Sequence, residues 1–148
     1  MMLILAMDFN GICYYEILPE KETMNASKYF EFLKRLVNAC GGNLQHMLWI
    51  LDDNARPHRH NSITAWFEEN HMKRWLQPSY SPHLSPRDYG YFHALKRTIG
   101  VVTHANIDSL KQAMDNEIRY SNANGKHTAI QNLLERWSRC INNKGEYL

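Results

Sequence analysis

Hydrophobic residues along the first part of the chain follow strand-like and then helix-like spacing. Two apolar runs, 2–7 and 12–18, flank an Asn-Gly pair, which is the strongest local signal for a β-hairpin. From Asn25, a good N-cap, apolar residues recur every three or four positions up to Cys40, and Gly41-Gly42 follows. This pattern predicts a hairpin and then an amphipathic helix.

The remaining pattern alternates strands and helices. An apolar run without alternation at 47–51 predicts a central strand covered on both faces. Ser85-Pro86 predicts a helix start, with Ser85 as the N-cap and Pro86 at the first helical position. Further segments have helix or strand spacing: a helix at 62–70, a strand at 72–76, and helices through 107–118 and 130–141. The order predicts an α/β fold with a mixed sheet, in which an antiparallel hairpin lies beside parallel strands.

Composition limits the class of protein. The 148 residues include 17 Lys and Arg against 15 Asp and Glu, a net charge of +2, and 44% are hydrophobic, which predicts one globular domain over 1–148. No run is long enough for a membrane span and no secretory signal is visible, so we expect a soluble, intracellular protein with reduced thiols. Four tryptophans fall on apolar stripes or strands and are expected in the core: Trp49, Trp66, Trp75 and Trp137. Because the net charge is small, any binding to nucleic acid must come from specific residues.

Two carboxylates follow predicted structural boundaries. Asp53 comes directly after a buried strand, and Asp88 lies in the first turn of a helix, with 34 residues between them. Carboxylates brought together in this way suit Mg²⁺, which prefers oxygen ligands and often takes only one or two from the protein. From the pattern alone, ordinary cap and turn roles remain the more common alternative.

The flanking residues favour the metal-binding interpretation. The segments Asp53-Asn-Ala-Arg-Pro-His58 and Tyr80-Ser-Pro-His-Leu-Ser-Pro-Arg-Asp88-Tyr89 resemble two motifs of mariner-type transposases, and their separation matches as well. The likeness extends to the opening hairpin and to the closing segment 135–147. The resemblance implies an RNase H-like catalytic domain that cuts and rejoins DNA with Mg²⁺ or Mn²⁺, acts as a homodimer in the nucleus, and has neither a membrane nor a small-molecule substrate as partner.

The resemblance also implies roles for individual residues. Asp53 would be the second catalytic and metal-binding carboxylate and Asp88 the third, whereas Asp52 stands where the family usually has His and is interpreted as a neighbour. His58 would shape the turn, and could also bond a DNA phosphate or a carboxylate. Apart from the resemblance, four basic residues could face a phosphate backbone or be solvated charges: Arg56, Arg59, Lys96 and Arg97.

The chain departs from the family at its beginning. The family's first catalytic aspartate lies on a strand upstream of the hairpin, and its helix-turn-helix modules lie further upstream, so we expect a sheet without its first strand and no such module. Asp8 follows a strand, but we expect it to be a turn residue. The chain alone is therefore expected to be inactive. Two alternatives stay open: a non-catalytic module that binds nucleic acid or a protein through an exposed strand edge, and an unrelated nuclease that uses Asp8, Asp53 and Asp88 together.

Overall fold

A computed structural model of the chain describes residues 2–40, 49–92, 95, 96, 100, 104, 106–124 and 128–146. The strands and α-helices are β1 Met2–Asp8, β2 Gly11–Leu18, α1 Ala26–Ala39, β3 Trp49–Asp52, α2 Asn61–Glu69, β4 Lys73–Leu76, α3 Ile107–Ala123, α4 Thr128–Gln131 and α5 Leu133–Asn142. Shorter elements are 3₁₀ turns at Arg56–Arg59 and Pro82–Leu84 and a π-helical segment at Arg87–Phe92. The order confirms the predicted α/β class. The expected helix stop at Gly41-Gly42 and the start of the expected strand at 47–48 lie outside the described residues.

The described strands pair in the two ways that the sequence predicts. β1 pairs with β2 as a hairpin, and β3 pairs with β4 in parallel, with Trp49 opposite Lys73 and Asp52 opposite Leu76. Both pairings that were expected in the mixed sheet are therefore present. Among the described residues they form two separate two-stranded sheets.

The chain divides into two compact units. The first consists of Met1–Ala6 with Cys13–Ser81, and the second of Met7–Ile12 with Pro82–Leu148. The carboxylates singled out from the sequence fall in different units, Asp53 in the first and Asp88 in the second. The expectation of one continuous domain stays a prediction.

The core of the first unit lies between α1, α2 and the strands. The buried apolar side chains that form it are Tyr29, Phe32, Leu33, Val37, Ile63, Phe67 and Met72. Those of α1 recur at helical spacing, so the helix buries one face and leaves the other in water. Asn25 caps this helix as predicted, since its side chain accepts a hydrogen bond from the Lys28 amide at 2.9 Å.

One face of the β3–β4 pair is open to solvent, contrary to the expectation of a strand covered on both faces. Trp49 is 50% exposed and Trp75 is 49% exposed, and their rings contact each other at 4.7 Å between centroids. Alternation along the strands explains this, because Ile50, Asp52 and Arg74 occupy the opposite, inward face. The expectation that all four tryptophans lie in the core is therefore wrong for Trp49 and Trp75.

In the second unit, α3 holds the apex of the hairpin. The Asn122 side chain both accepts from the Ile12 amide and donates to the Ile12 carbonyl, at 3.1 Å each. Gly11 has φ +123°, a conformation that L-residues rarely adopt. Asp8 is a turn residue as expected, because its Oδ1 accepts a hydrogen bond from the Asn10 amide at 2.7 Å.

The segment that contains Asp88 differs from the expected α-helix. Residues 87–92 form a π-helical segment, and the amides of Asp88 and Tyr89 both donate to the Ser85 carbonyl. The Ser85 hydroxyl is buried and has no hydrogen-bond partner among the described residues. Ser85 therefore stands at the N-cap position and Pro86 is the first helical residue, both as predicted, but Ser85 caps through its backbone carbonyl and its side chain forms no capping bond.

Candidate metal centre at the end of β3

Two adjacent carboxylates at the end of β3 have very different surroundings. Asp52 is the last strand residue and is 3% exposed, while Asp53 follows it with 48% of its side chain exposed. The alternation of a strand accounts for the contrast, because successive side chains point to opposite faces. One carboxylate is thus buried in the first unit and the other reaches solvent.

Three side chains surround the buried Asp52 carboxylate. Its Oδ2 accepts a hydrogen bond from the Tyr29 hydroxyl and lies 3.3 Å from Arg74 Nε, while Oδ1 lies 3.3 Å from His58 Nδ1. A charge removed from water needs such partners, because desolvation costs several kcal/mol per ion. Asp52 is therefore a carboxylate committed to contacts within the protein.

Asp53 is oriented by the turn that follows it. Its Oδ1 accepts a hydrogen bond from the Ala55 amide at 3.0 Å and lies 2.6 Å from His58 Nδ1. The His58 ring packs on Tyr29, with 3.9 Å between ring centroids. His58 is thus buried in the 3₁₀ turn and contacts both carboxylates. A contact between His58 and a carboxylate is one of the roles that the sequence suggested for this residue.

The backbone beside the carboxylates is tied to the end of β4. The Gln77 amide donates to the Asp52 carbonyl at 2.7 Å, and Asn54 Nδ2 donates to the Gln77 carbonyl at 2.7 Å. The buried Gln77 side chain in turn donates to the Ser81 carbonyl. These bonds hold the Asp52-Asp53-Asn54 turn in one conformation, which favours a preorganised site.

Asp52, Asp53 and His58 form a group that could hold a metal ion. One ligand atom from each lies within 4.8 Å of the others. Carboxylate oxygens suit Mg²⁺ and Mn²⁺, and an imidazole nitrogen is tolerated better by Mn²⁺. Because the Asp52 oxygens already face Tyr29, Arg74 and His58, the half-exposed Asp53 is the better ligand. This supports the interpretation of Asp52 as a neighbour, which stays a prediction.

Asp88 is exposed on the second unit, next to a firmly held tyrosine. The Tyr89 hydroxyl donates to the Ala129 carbonyl, and the Arg136 guanidinium lies 4.0 Å from the centroid of the Tyr89 ring. Arg136 Nε also donates to the His83 carbonyl at 3.1 Å. Burial raises the pKa of Tyr89, and the Arg136 charge opposes that rise. The backbone that carries Asp88 is thereby fixed from α4 and α5.

The basic residues singled out from the sequence have different surroundings. Arg56, Arg59 and Lys96 are exposed, so all three can reach a ligand in solution, whereas Arg97 lies outside the described residues. His58 is buried against the two carboxylates, which leaves little of its ring for a phosphate. Binding of nucleic acid by any of these residues stays a prediction.

Sequence reasoning does not find the residues that support the carboxylates. The spacing identifies Tyr29 only as part of the apolar stripe of α1, and Arg74 only as part of a strand. A charged residue in the middle of a short apolar strand is the one available signal at Arg74. Arg136 lies in the closing segment that resembles the transposases, but its contact with Tyr89 depends on tertiary structure.

The pattern of residues also matches a family model. The model described as DDE superfamily endonuclease matches residues 1–111, three quarters of the chain. The chain belongs to this family. The identification confirms the resemblance carried by the motifs around Asp53 and Asp88.

Individual transposases and their solved structures are also similar to this chain. The chain is 28% identical to the mariner Mos1 transposase of Drosophila mauritiana over 153 aligned residues, which cover 99% of this chain and 44% of that protein. The solved Mos1 catalytic domain with raltegravir and Mg matches with a TM-score of 0.91 at 28% identity, over 99% of this chain and 76% of that one. The Mos1 paired-end complex with the left transposon end matches with a TM-score of 0.89 at 27% identity, over 98% of this chain and 44% of that one.

These matches confirm the RNase H-like α/β fold class. They also show that the chain spans less than half the length of the Mos1 transposase. In the part of this DDE superfamily member that the structure describes, no helix combines the length and apolar character that crossing a bilayer requires.

Proposed function

We propose that the chain supplies Asp53 and Asp88 to a divalent-metal centre for DNA strand cleavage and transfer. The observation that carries this proposal is the half-exposed Asp53 carboxylate, held at a strand end by Ala55 and His58 beside a buried, fully engaged Asp52. Support comes from the solved Mos1 catalytic domain with Mg and from the Mos1 complex with a transposon end. The same relatives support transposon-end DNA and a second copy of the chain as partners. The nucleus is proposed as the compartment from the resemblance to mariner-type transposases.

The contacts of the first unit define what each side chain does. Asp53 would offer a carboxylate oxygen to Mg²⁺ or Mn²⁺, and a bound ion would supply Lewis-acid stabilisation of charge in phosphoryl transfer. His58 fixes the Asp53 Oδ1 atom, and the Ala55 amide bonds the same atom. Asp52 holds His58 in place while its own charge faces Arg74. Asp88, presented by the fixed π-helical segment of the second unit, is the second carboxylate in this proposal.

Calorimetric titration with Mn²⁺ tests the assignment of ligands. Asp53→Asn removes the charge and keeps the size of the side chain. We therefore expect the affinity for Mn²⁺ to fall by about tenfold or more. Asp88→Asn should weaken binding in the same direction. Asp8→Asn is the matched control, because Asp8 is an exposed carboxylate already used by its turn. Equal heats of Mn²⁺ binding for the original chain and for Asp53→Asn would contradict the proposal that Asp53 is a metal ligand.

Nicking of supercoiled plasmid DNA tests the reaction itself. The same assay tests the expectation that the chain alone is inactive. Mn²⁺-dependent nicking that disappears in both Asp53→Asn and Asp88→Asn would assign strand cleavage to this chain directly and overturn the expected inactivity. Nicking that disappears in Asp8→Asn would instead favour a nuclease that uses all three aspartates.

The open face of the β3–β4 pair favours a second candidate function, a module that binds a partner. Trp49 and Trp75 are each about half exposed there, and large apolar side chains side by side on a surface often mark an interface. Light scattering after size-exclusion chromatography, at several concentrations, tests this second candidate. If the protein is a monomer at every concentration and does not bind DNA at low salt, the proposed binding function is contradicted.

A further inference from the structure

A cavity on the first unit has walls that carry positive charge. Its volume is about 650 Å³, and it lies beside the 3₁₀ turn, where Arg56, Arg59 and His60 line it together with residues at the start of α1. None of the residues that line it is acidic. A cavity with this lining fits an anion.

The two arginines of the cavity differ from the structural arginines of this protein. Arg56 and Arg59 are exposed, and in the described part of the chain neither side chain forms an ion pair or a hydrogen bond. In contrast, Arg35 pairs with Glu16 at 2.6 Å, and Arg74 pairs with the buried Asp52 at 3.3 Å. Two neighbouring guanidinium groups repel each other, and a bound anion would remove that repulsion. Guanidinium is also the side-chain group best suited to bind phosphate through two parallel hydrogen bonds.

The 3₁₀ turn connects this cavity with the proposed metal centre. Arg56 and Arg59 lie at its two ends and are exposed, while His58 between them is buried and lies 2.6 Å from the Asp53 carboxylate. The turn that lines the cavity therefore also carries the residue that contacts Asp53. α1 and α2 also begin beside the cavity, and their N-termini add a smaller positive potential.

We propose that this cavity binds a phosphodiester group of DNA and holds the strand next to Asp53. The inference rests on the proposed function for the class of ligand, because DNA is the substrate proposed above. Contacts to the backbone position a duplex without reading its sequence, so binding here is independent of sequence. The site is separate from the metal centre and does not require a metal ion.

Fluorescence anisotropy with a short labelled DNA duplex of arbitrary sequence, in EDTA and at several salt concentrations, tests this. Arg56→Gln/Arg59→Gln should weaken binding about tenfold or more and make the slope of log K against log salt less negative by about 1.8, because two phosphate contacts are lost. The matched control, Lys34→Gln/Arg119→Gln, removes two charges from exposed positions elsewhere and should change the slope by less than half as much.

Ala26→Glu provides a second variant that keeps both arginines. Ala26 lines the cavity at the first position of α1, where a carboxylate favours the helix, so the fold is retained while phosphate is repelled. We expect this variant to lose binding as well. The proposal is overturned if DNA does not bind, or if both cavity variants match the control. EDTA keeps the result independent of the metal titration, so the two proposals can fail separately.

Discussion

Removing the Tyr29 hydroxyl tests whether the buried Asp52 carboxylate depends on its partners. The hydroxyl donates a hydrogen bond to Asp52 Oδ2 inside the first unit. Tyr29→Phe deletes this donor and keeps the ring, which packs on His58 at 3.9 Å and on Phe32 at 6.3 Å between centroids. The change in free energy of unfolding therefore reports mainly on one hydrogen bond to a charged group.

The structure sets the expected magnitude of this effect. A hydrogen bond to an ionised group contributes about 1.5–3 kcal/mol. Arg74 Nε and His58 Nδ1 remain at 3.3 Å from the same carboxylate in the variant, so part of the stabilisation is kept. We expect Tyr29→Phe to lower the free energy of unfolding by about 1.5–2 kcal/mol.

Urea unfolding followed by circular dichroism measures this free energy. The slope of the free energy of unfolding against urea concentration must be the same in both proteins for the comparison to hold. Tyr14→Phe is the matched control, because its hydroxyl donates to the half-buried Glu16 at 2.8 Å. We expect it to cost less than about 1 kcal/mol. Repeating Tyr29→Phe in an Asp52→Asn background should reduce its cost to about 1 kcal/mol, since the acceptor is then neutral. An equal cost for the two tyrosines, or an unchanged cost in the Asp52→Asn background, would refute the reasoning.

Three further changes test the second unit. Gly11→Ala places a Cβ 2.1 Å from Asn122 Oδ1 at φ +123°, so we expect a loss of about 2–4 kcal/mol in urea unfolding, against about 1 kcal/mol for Gly145→Ala, where nothing lies within 4 Å. Tyr91→Phe removes a buried hydroxyl that has no partner among the described residues, so stability should stay equal or rise by up to about 1 kcal/mol. Burial, and secondarily Asp8, raise the pKa of Tyr91, so stability should fall as pH rises above about 10, and less steeply in this variant. Asn106→Ala removes the capping box of α3 and should cost about 1 kcal/mol, measured by thermal unfolding.

The fold class was predictable because each local signal had one dominant physical cause. The Asn25 cap and the apolar stripe of α1 agree with each other, and the Asn-Gly pair marks the hairpin turn. The exposure of Trp49 and Trp75 was not predictable, because an apolar run in the sequence does not show whether another layer covers each face of a strand. Burial of a face depends on which elements pack there, and that is a property of the whole fold.

The candidate site was predictable only as far as its motifs extend along the chain. Asp53 and His58 lie five residues apart, so one motif contains both, and their contact follows from the short 3₁₀ turn. Tyr29 and Arg74 come from α1 and β4, more than twenty residues away on either side, and no local pattern connects them with Asp52. Long-range contacts of this kind require the packing of α1 against the strands, which the spacing of residues does not specify.

The positions of Asp52 and Asp53 at the end of β3 explain why two adjacent aspartates have different roles. Strand alternation directs Asp52 into the unit, where a carboxylate is stable only with partners such as Tyr29 and Arg74. It directs Asp53 to the surface, where the charge stays hydrated and can exchange water for a metal ion. His58 lies between them and contacts both, so the buried carboxylate fixes the ring that fixes the exposed one. A shift of one residue in the register of β3 would exchange the two roles, and therefore the bonds between Asp52, Asn54 and Gln77 that set this register are part of the site.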